Sequence, residues 1–158
     1  MATHHPLSTD RTTATPTWLP TVAKVVGAVF LLVGILGFVP GITTHYNDMT
    51  FASHDSGAKL LGIFEVSVLH NVVHLLFGVV GLLASRTIAN SARYLLVGGI
   101  VYLVLWLYGL FIDKHSAANF VPVNSADDWL HFVLGLGMAV LGAIGLRQLQ
   151  GRSRTATR

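Results

Sequence analysis

The chain has 158 residues, of which 53% are hydrophobic and only 11% charged, with a net charge of +3 and no cysteine. Soluble domains carry about 25% charged residues, so an ordinary soluble globule is excluded, and the modest charge offers no basis for a nucleic-acid partner. Without thiols there are no disulfides, thiolate metal sites or iron–sulfur clusters, so any redox role falls to a cofactor.

Residues 1–19, rich in Thr, Ser and Pro, lack a repeating apolar pattern and read as a disordered tail in which His4 and His5 are solvated. The first apolar run predicts a membrane helix over 21–39, stopped by Pro40 and Gly41. A signal peptide is the competing reading, but Phe38, Val39 and Pro40 supply no small-x-small cleavage site. The stretch from Ile42 to Lys59 holds His45, Asn47, Asp48, His54 and Asp55 and reads as a polar loop outside the hydrocarbon.

A second helix is expected over 59–84, long enough to cross with some tilt. The turn from Ser85 to Ala92 leads to a third over 93–112, and Asp113 to Ser125 forms a second outer loop. Ser125-Ala-Asp-Asp128 has the spacing of a capping box, which predicts a fourth helix over 126–146. Residues 148–158 read as a basic, disordered tail. The expectation is an all-α, integral membrane four-helix bundle, antiparallel, spanning residues 20–147.

Arg11, Lys24, Arg86, Arg93 and the arginines at 147, 152, 154 and 158 share one side of this topology, against Lys59 and Lys114 on the other. That asymmetry predicts both termini in the cytoplasm. The partner implied throughout is the lipid bilayer, with other membrane subunits as further candidates.

The polar residues of the second helix carry the site hypothesis, because each is disfavoured in hydrocarbon and needs a partner. Ser67, His70, Asn71, His74, Gly78 and Gly81 recur at three- and four-residue steps and so share one face. Glu65 lies off that stripe, roughly 8 Å in from Leu60 at 1.5 Å per residue. His131 sits at comparable shallow depth on the fourth helix, at the head of a stripe with Gly135, Met138, Gly142 and Gly145, and is the expected partner of Glu65. The candidate pocket is therefore His70, His74, His131, Glu65 and Asn71, opening outward between helices two and four.

Three chemistries compete for it. His70 and His74 are one turn apart, as two imidazoles gripping one metal ion would be, but a zincin needs Glu after the first His and Asn71 stands there. A non-catalytic metal site remains. Haem between facing histidines needs both rings at one level, and a helix beginning at residue 59 puts His70 roughly 15 Å deep with His131 barely a turn inside. A quinone or other small apolar ligand would use the same groups as hydrogen-bond partners, with Tyr102 or Trp106 as walls. Against all three stands a structural role, in which these groups bond across helices at about 0.6 kcal/mol each. A transporter ranks last, since Val79 to Ala84 and Tyr94 to Val101 are nearly all apolar. Trp18, Tyr94, Trp129 and Phe132 read as an interfacial belt, and His45, His54 and His115 as solvated loop residues.

The segments Val66–Gly78, with His70-Asn71-x-x-His74, and Pro122–Gly135, with Asn124-Ser-Ala-Asp-x-Trp129-x-His131, resemble an uncharacterised family of small bacterial four-helix membrane proteins. That domain-of-unknown-function group is itself distantly similar to the DoxX-like set, which includes accessory subunits of quinone-linked oxidoreductases. The resemblance implies the architecture and a bacterial plasma membrane location, and transfers no reaction and no residue role. The function expected is that of a small polytopic accessory or structural subunit. The alternative is a metal-, haem- or quinone-binding subunit of a membrane redox complex.

Overall fold

The computed structural model describes residues 15–155, so His4, His5 and the outermost parts of both tails lie outside the described residues. Four helices dominate: α1 (Trp18–Leu36), α2 (Val68–Ala84), α3 (Ile88–Phe111) and α4 (Ser125–Thr155). Between α1 and α2 the chain forms a small antiparallel sheet of β1 (Thr43–Thr44), β2 (Lys59–Leu60) and β3 (Phe64–Glu65), with Thr43 opposite Leu60 and Lys59 opposite Glu65.

The ends of the helices differ from the sequence expectation for identifiable reasons. At the start of α1, Leu19 is fully buried where a side chain on Gly145 would collide with it, so residues 15–19 are not a free tail. At its other end, Thr43 donates its hydroxyl to the carbonyls of Leu36 and Gly37, satisfying acceptors that a helix terminus leaves open and closing it before Pro40.

Helix α2 starts at Val68 rather than Lys59. Ser67 is its N-cap, with Oγ accepting the His70 N–H at 3.1 Å, and the preceding residues pair as a hairpin whose turn holds Leu61 and Gly62 at positive φ. The run Leu60–Val66 is apolar almost throughout, and periodicity cannot tell such a run from helix. Helix α3 starts five residues early because Thr87 accepts the Asn90 N–H as its cap. Helix α4 runs on to Thr155, so residues 148–155 are helical rather than disordered.

Glycine sets the packing. A Cβ on Gly27 would lie 2.9 Å from the Gly78 carbonyl and the Leu82 nitrogen, and one on Gly78 would meet Leu31, so α1 and α2 touch backbone to backbone. Helices α3 and α4 meet in the same way, Gly99 against Gly135 and Ala139, Gly142 against Ala92 and Leu96. Such close approach lets dispersion hold helices together where lipid competes with any hydrophobic drive. Aromatic rings fill the seam between the two pairs: Phe30, Phe77 and Tyr102 stand 5.0 to 5.4 Å apart centroid to centroid. Tyr94 joins them, buried and donating its hydroxyl to the Phe77 carbonyl, and so is a core residue and not part of a belt.

Three helical stretches, Trp18–Leu36, Ile88–Phe111 and Ser125–Ser153, are long and apolar enough to cross a membrane, while α2 has 17 residues. Exposed Val25, Leu32, Val97, Val104, Val133 and Val140 make the surface apolar too. These features mark a multi-pass membrane protein.

The loop between α3 and α4 is fastened by an ion pair. Lys114 Nζ lies 2.7 Å from Asp128 Oδ2 and 2.9 Å from the Gly109 carbonyl, and the Asp128 carboxylate occupies the space a side chain on Gly109 would need.

Two stability measurements in detergent follow. Gly99→Val forces α3 off α4 and should cost about 1–3 kcal/mol or abolish folding, whereas Gly137→Ala, where a Cβ meets nothing, should be neutral or stabilise by up to about 1 kcal/mol. Lys114→Met strands a nearly buried carboxylate and should cost about 2–3 kcal/mol, below the range for a wholly buried pair because Lys114 is 27% exposed. The double variant Lys114→Met/Asp128→Leu should recover most of that loss.

Candidate functional site

Two capped helix starts bring the polar residues together. Ser67 fixes the first turn of α2, placing His70 in that turn and His74 one turn later, where His74 Nδ1 lies 2.9 Å from the His70 carbonyl. A carbonyl only accepts, so Nδ1 carries the proton and the Nε2 of the neutral ring is a bare acceptor.

The start of α4 is capped one residue earlier than Ser125. Asn124 Oδ1 accepts the N–H groups of Ala126 and Asp127, and Asp127 Oδ2 accepts the Asn124 N–H, a reciprocal box with Asn124 at its head. The box also grips the hairpin. Asp127 Oδ2 accepts the Glu65 N–H at 3.0 Å, and Asn124 Nδ2 donates to the Ile63 carbonyl at 2.7 Å. One turn beyond Asp127 stands His131.

The outcome is a cluster of three buried imidazoles. His70 and His74 have ring centroids 4.7 Å apart, His70 and His131 6.4 Å, and Tyr102 stands edge-on to His131 at 5.0 Å. On one side of the cluster is a cavity of about 300 Å³, walled also by Tyr102, Val73, Val101 and Leu105 and roofed by Tyr108, Phe120 and Val123. On the other, a smaller cavity of about 100 Å³ lies beneath the hairpin against Leu60, Phe64 and Asp127. The same three histidines line both and divide them. Among the described residues, no Lys, Arg, Asp or Glu lines the larger one. The His70 ring stands close to the backbone carbonyls of Glu65 and Pro122, whereas Nδ1 of His131 is buried without a hydrogen-bond partner among the described residues. Leaving such a group unmatched costs about 1–3 kcal/mol.

The structure separates the remaining expected residues from this cluster. Asn71 is fully buried against α1, in room that exists only because residue 37 is glycine, and its amide reaches Met49 Sδ at 3.9 Å. Glu65 lies on β3, half-buried, and its link to α4 is a backbone bond to Asp127 rather than a side-chain pairing with His131. Burial pushes its carboxyl up from the ordinary carboxylate range, opposed by Lys59 and Lys114. Trp106 packs on Phe132 at 4.6 Å and walls neither cavity.

The depth objection to facing histidines disappears, because α2 begins nine residues later than expected and His70 and His131 both lie within two turns of their helix starts. For metal, among the described residues no group of three or more His, Asp or Glu is arranged to hold an ion.

Sequence reasoning missed the roof. Phe120 to Val123 lies in what reads as a polar loop, yet Asn119, 1% exposed, accepts the Val123 N–H and donates to the Lys114 and Val123 carbonyls, while Tyr108 donates to the Ala118 carbonyl at 2.7 Å. The signal was the apolar tetrapeptide itself, directly after an Asn able to bond its own backbone.

No curated protein matches the chain, and no solved structure does. The profile of one family, described as a domain of unknown function, matches residues 21–144, a stretch that holds all of α2 and α3, every residue of the imidazole cluster and the whole roof. The chain belongs to that family, DUF4383.

Proposed function

We propose that the protein is a non-catalytic accessory subunit of the bacterial plasma membrane that binds a small, uncharged, hydrogen-bonding ligand in the cavity between α2, α3 and α4. Quinone-type head groups are the leading candidates. The observation that carries this reading is the convergence of His70, His74 and His131 on a largely apolar cavity that no Lys, Arg, Asp or Glu lines among the described residues. A volume of about 300 Å³ is at the small end of ligand sites, which run to roughly 1,000 Å³. It suits a single ring. An imidazole acceptor on His74, together with the Tyr102 hydroxyl, provides the few placed polar groups that orient a ligand in an apolar pocket.

In this reading all four helices cross the bilayer as an antiparallel bundle, α2 being just long enough at about 26 Å for 1.5 Å per residue. Both termini are cytoplasmic, and the hairpin and the roof loop face outward. The eight basic residues on the inner side and two on the outer support that orientation.

Orientation is readily checked because the chain has no cysteine of its own. In intact cells Asn47→Cys should react with a membrane-impermeant maleimide and Gln150→Cys only after lysis. The reverse pattern would invert the topology.

For the site, binding of methylhydroquinone to the protein in lipid nanodiscs should weaken about fivefold in His70→Leu and in His131→Leu, the worth of a hydrogen bond of about 1 kcal/mol, with the thermal midpoint held. Loss of stability in both variants, with no binding to the unsubstituted protein, would instead make the histidines interhelical glue.

A further inference from the structure

The larger cavity does not end at the histidines. Val73 and Val101 in its wall are also wall residues of a second space of about 490 Å³, a groove between α2 and α3 lined by Leu76, Phe77, Val80 and Val97. The groove exists because α2 and α3, though joined by a tight turn, each pack chiefly on another helix, α2 on α1 and α3 on α4. It runs from Val73 to Ala84, about 16 Å at 1.5 Å per residue. Its sides are exposed, Leu76 at 61%, Val80 at 53% and Val97 at 59%. At the far end stand Asn90 and Arg93, with the Arg93 guanidinium donating to Asn90 Oδ1 at 3.2 Å.

We infer that cavity and groove are one site, and that it takes a lipid with a hydroxyl-bearing, uncharged head group among the histidines and a hydrocarbon tail lying between α2 and α3. This rests on the ligand reading above and names the class of ligand. Two observations fix which end takes the head. His74 in the wall of the enclosed end carries its proton on Nδ1, which leaves its ring an acceptor and calls for an O–H, and among the described residues no cation that would hold an anionic head lines that end. At the opposite end Arg93 is exposed and already bonded to Asn90. The groove accommodates about a dozen extended carbons, at a rise of ~1.3 Å each from C–C bonds of about 1.5 Å. A tail entering from the bilayer exchanges lipid neighbours for Phe77, Val80 and Val97, so the groove serves to align the ligand and the head group supplies selectivity.

The test uses the full chain in lipid nanodiscs and two probes, methylhydroquinone and an alkyl hydroquinone with a photoreactive diazirine in its tail. Irradiation should attach the long probe to peptides containing Leu76, Val80 or Val97, and excess methylhydroquinone should suppress that labelling at least fivefold. Val80→Trp, which fills the groove without touching the cavity, should cut labelling by a similar factor and leave methylhydroquinone affinity unchanged; Val97→Trp is the second such variant should Val80→Trp fail to fold. Labelling spread over the outward faces of α1 and α4, with methylhydroquinone still bound, would overturn this inference alone. So would labelling competed by an anionic phospholipid but not by methylhydroquinone, since the groove would then serve Arg93. Absence of methylhydroquinone binding would overturn the ligand reading itself.

Discussion

The arrangement depends on one carboxylate. Asp127 Oδ2 accepts two backbone N–H groups, from Asn124 in its own helix start and from Glu65 in the hairpin, and so joins segments 62 residues apart in sequence. Both bonds converge on a single buried side chain, so neither segment can shift without breaking a contact to the other. With Asn124 holding the Ile63 carbonyl beside it, the hairpin is locked to α4 and its end is fixed just ahead of Ser67. The level of α2 relative to α4 follows from that. His70, three residues past Ser67, and His131, four past Asp127, then face each other at 6.4 Å instead of standing a helix-length apart.

Around this fixed end the helices divide their contacts unevenly. Gly27, Gly78 and Gly81 bring α1 and α2 to backbone contact, and Gly99, Gly135 and Gly142 do the same for α3 and α4. Two tight pairs cannot also interlock fully with each other, because the residues that face the seam are large: Phe30, Phe77, Tyr102 and Met138. Packing is dense where glycines allow it and loose along α2 and α3, so the seam is where space remains. The imidazole cluster stands at the hairpin end of that seam.

Much of the fold is legible in the sequence because the apolar runs are long, and His70 and His74 share a face in any helix that contains both. The positions where the structure departs from the local sequence pattern share a physical cause. Lys59 to Val66 alternates too little to separate strand from helix, and only Gly62, at a φ of 72°, marks the turn. Asn124-x-x-Asp127 and Ser125-x-x-Asp128 both have capping spacing. The first wins because its side chains have the hairpin to bond, a contact no local pattern encodes. Asn71 falls on the polar stripe of α2, yet it turns toward Gly37, whose missing side chain is a fact about a different helix. Glu65 paired with His131 follows from helical depth, and fails once residue 65 is on a strand.

The two ends of the cavity differ in how they are closed, and that bears on how anything reaches the histidines. Toward the loops the roof is held by bonds from Tyr108, Asn119 and Lys114, and the hairpin by Asn124 and Asp127, so opening a path there means breaking several polar contacts together. Toward the seam the wall is Val73, Val101 and Leu105, each about two-fifths exposed and none holding a hydrogen-bonded side chain. Moving an aliphatic rotamer takes picoseconds to nanoseconds, whereas local unfolding of a bonded loop takes microseconds or longer. The route of low resistance is therefore sideways between α2 and α3, from the bilayer and not from water.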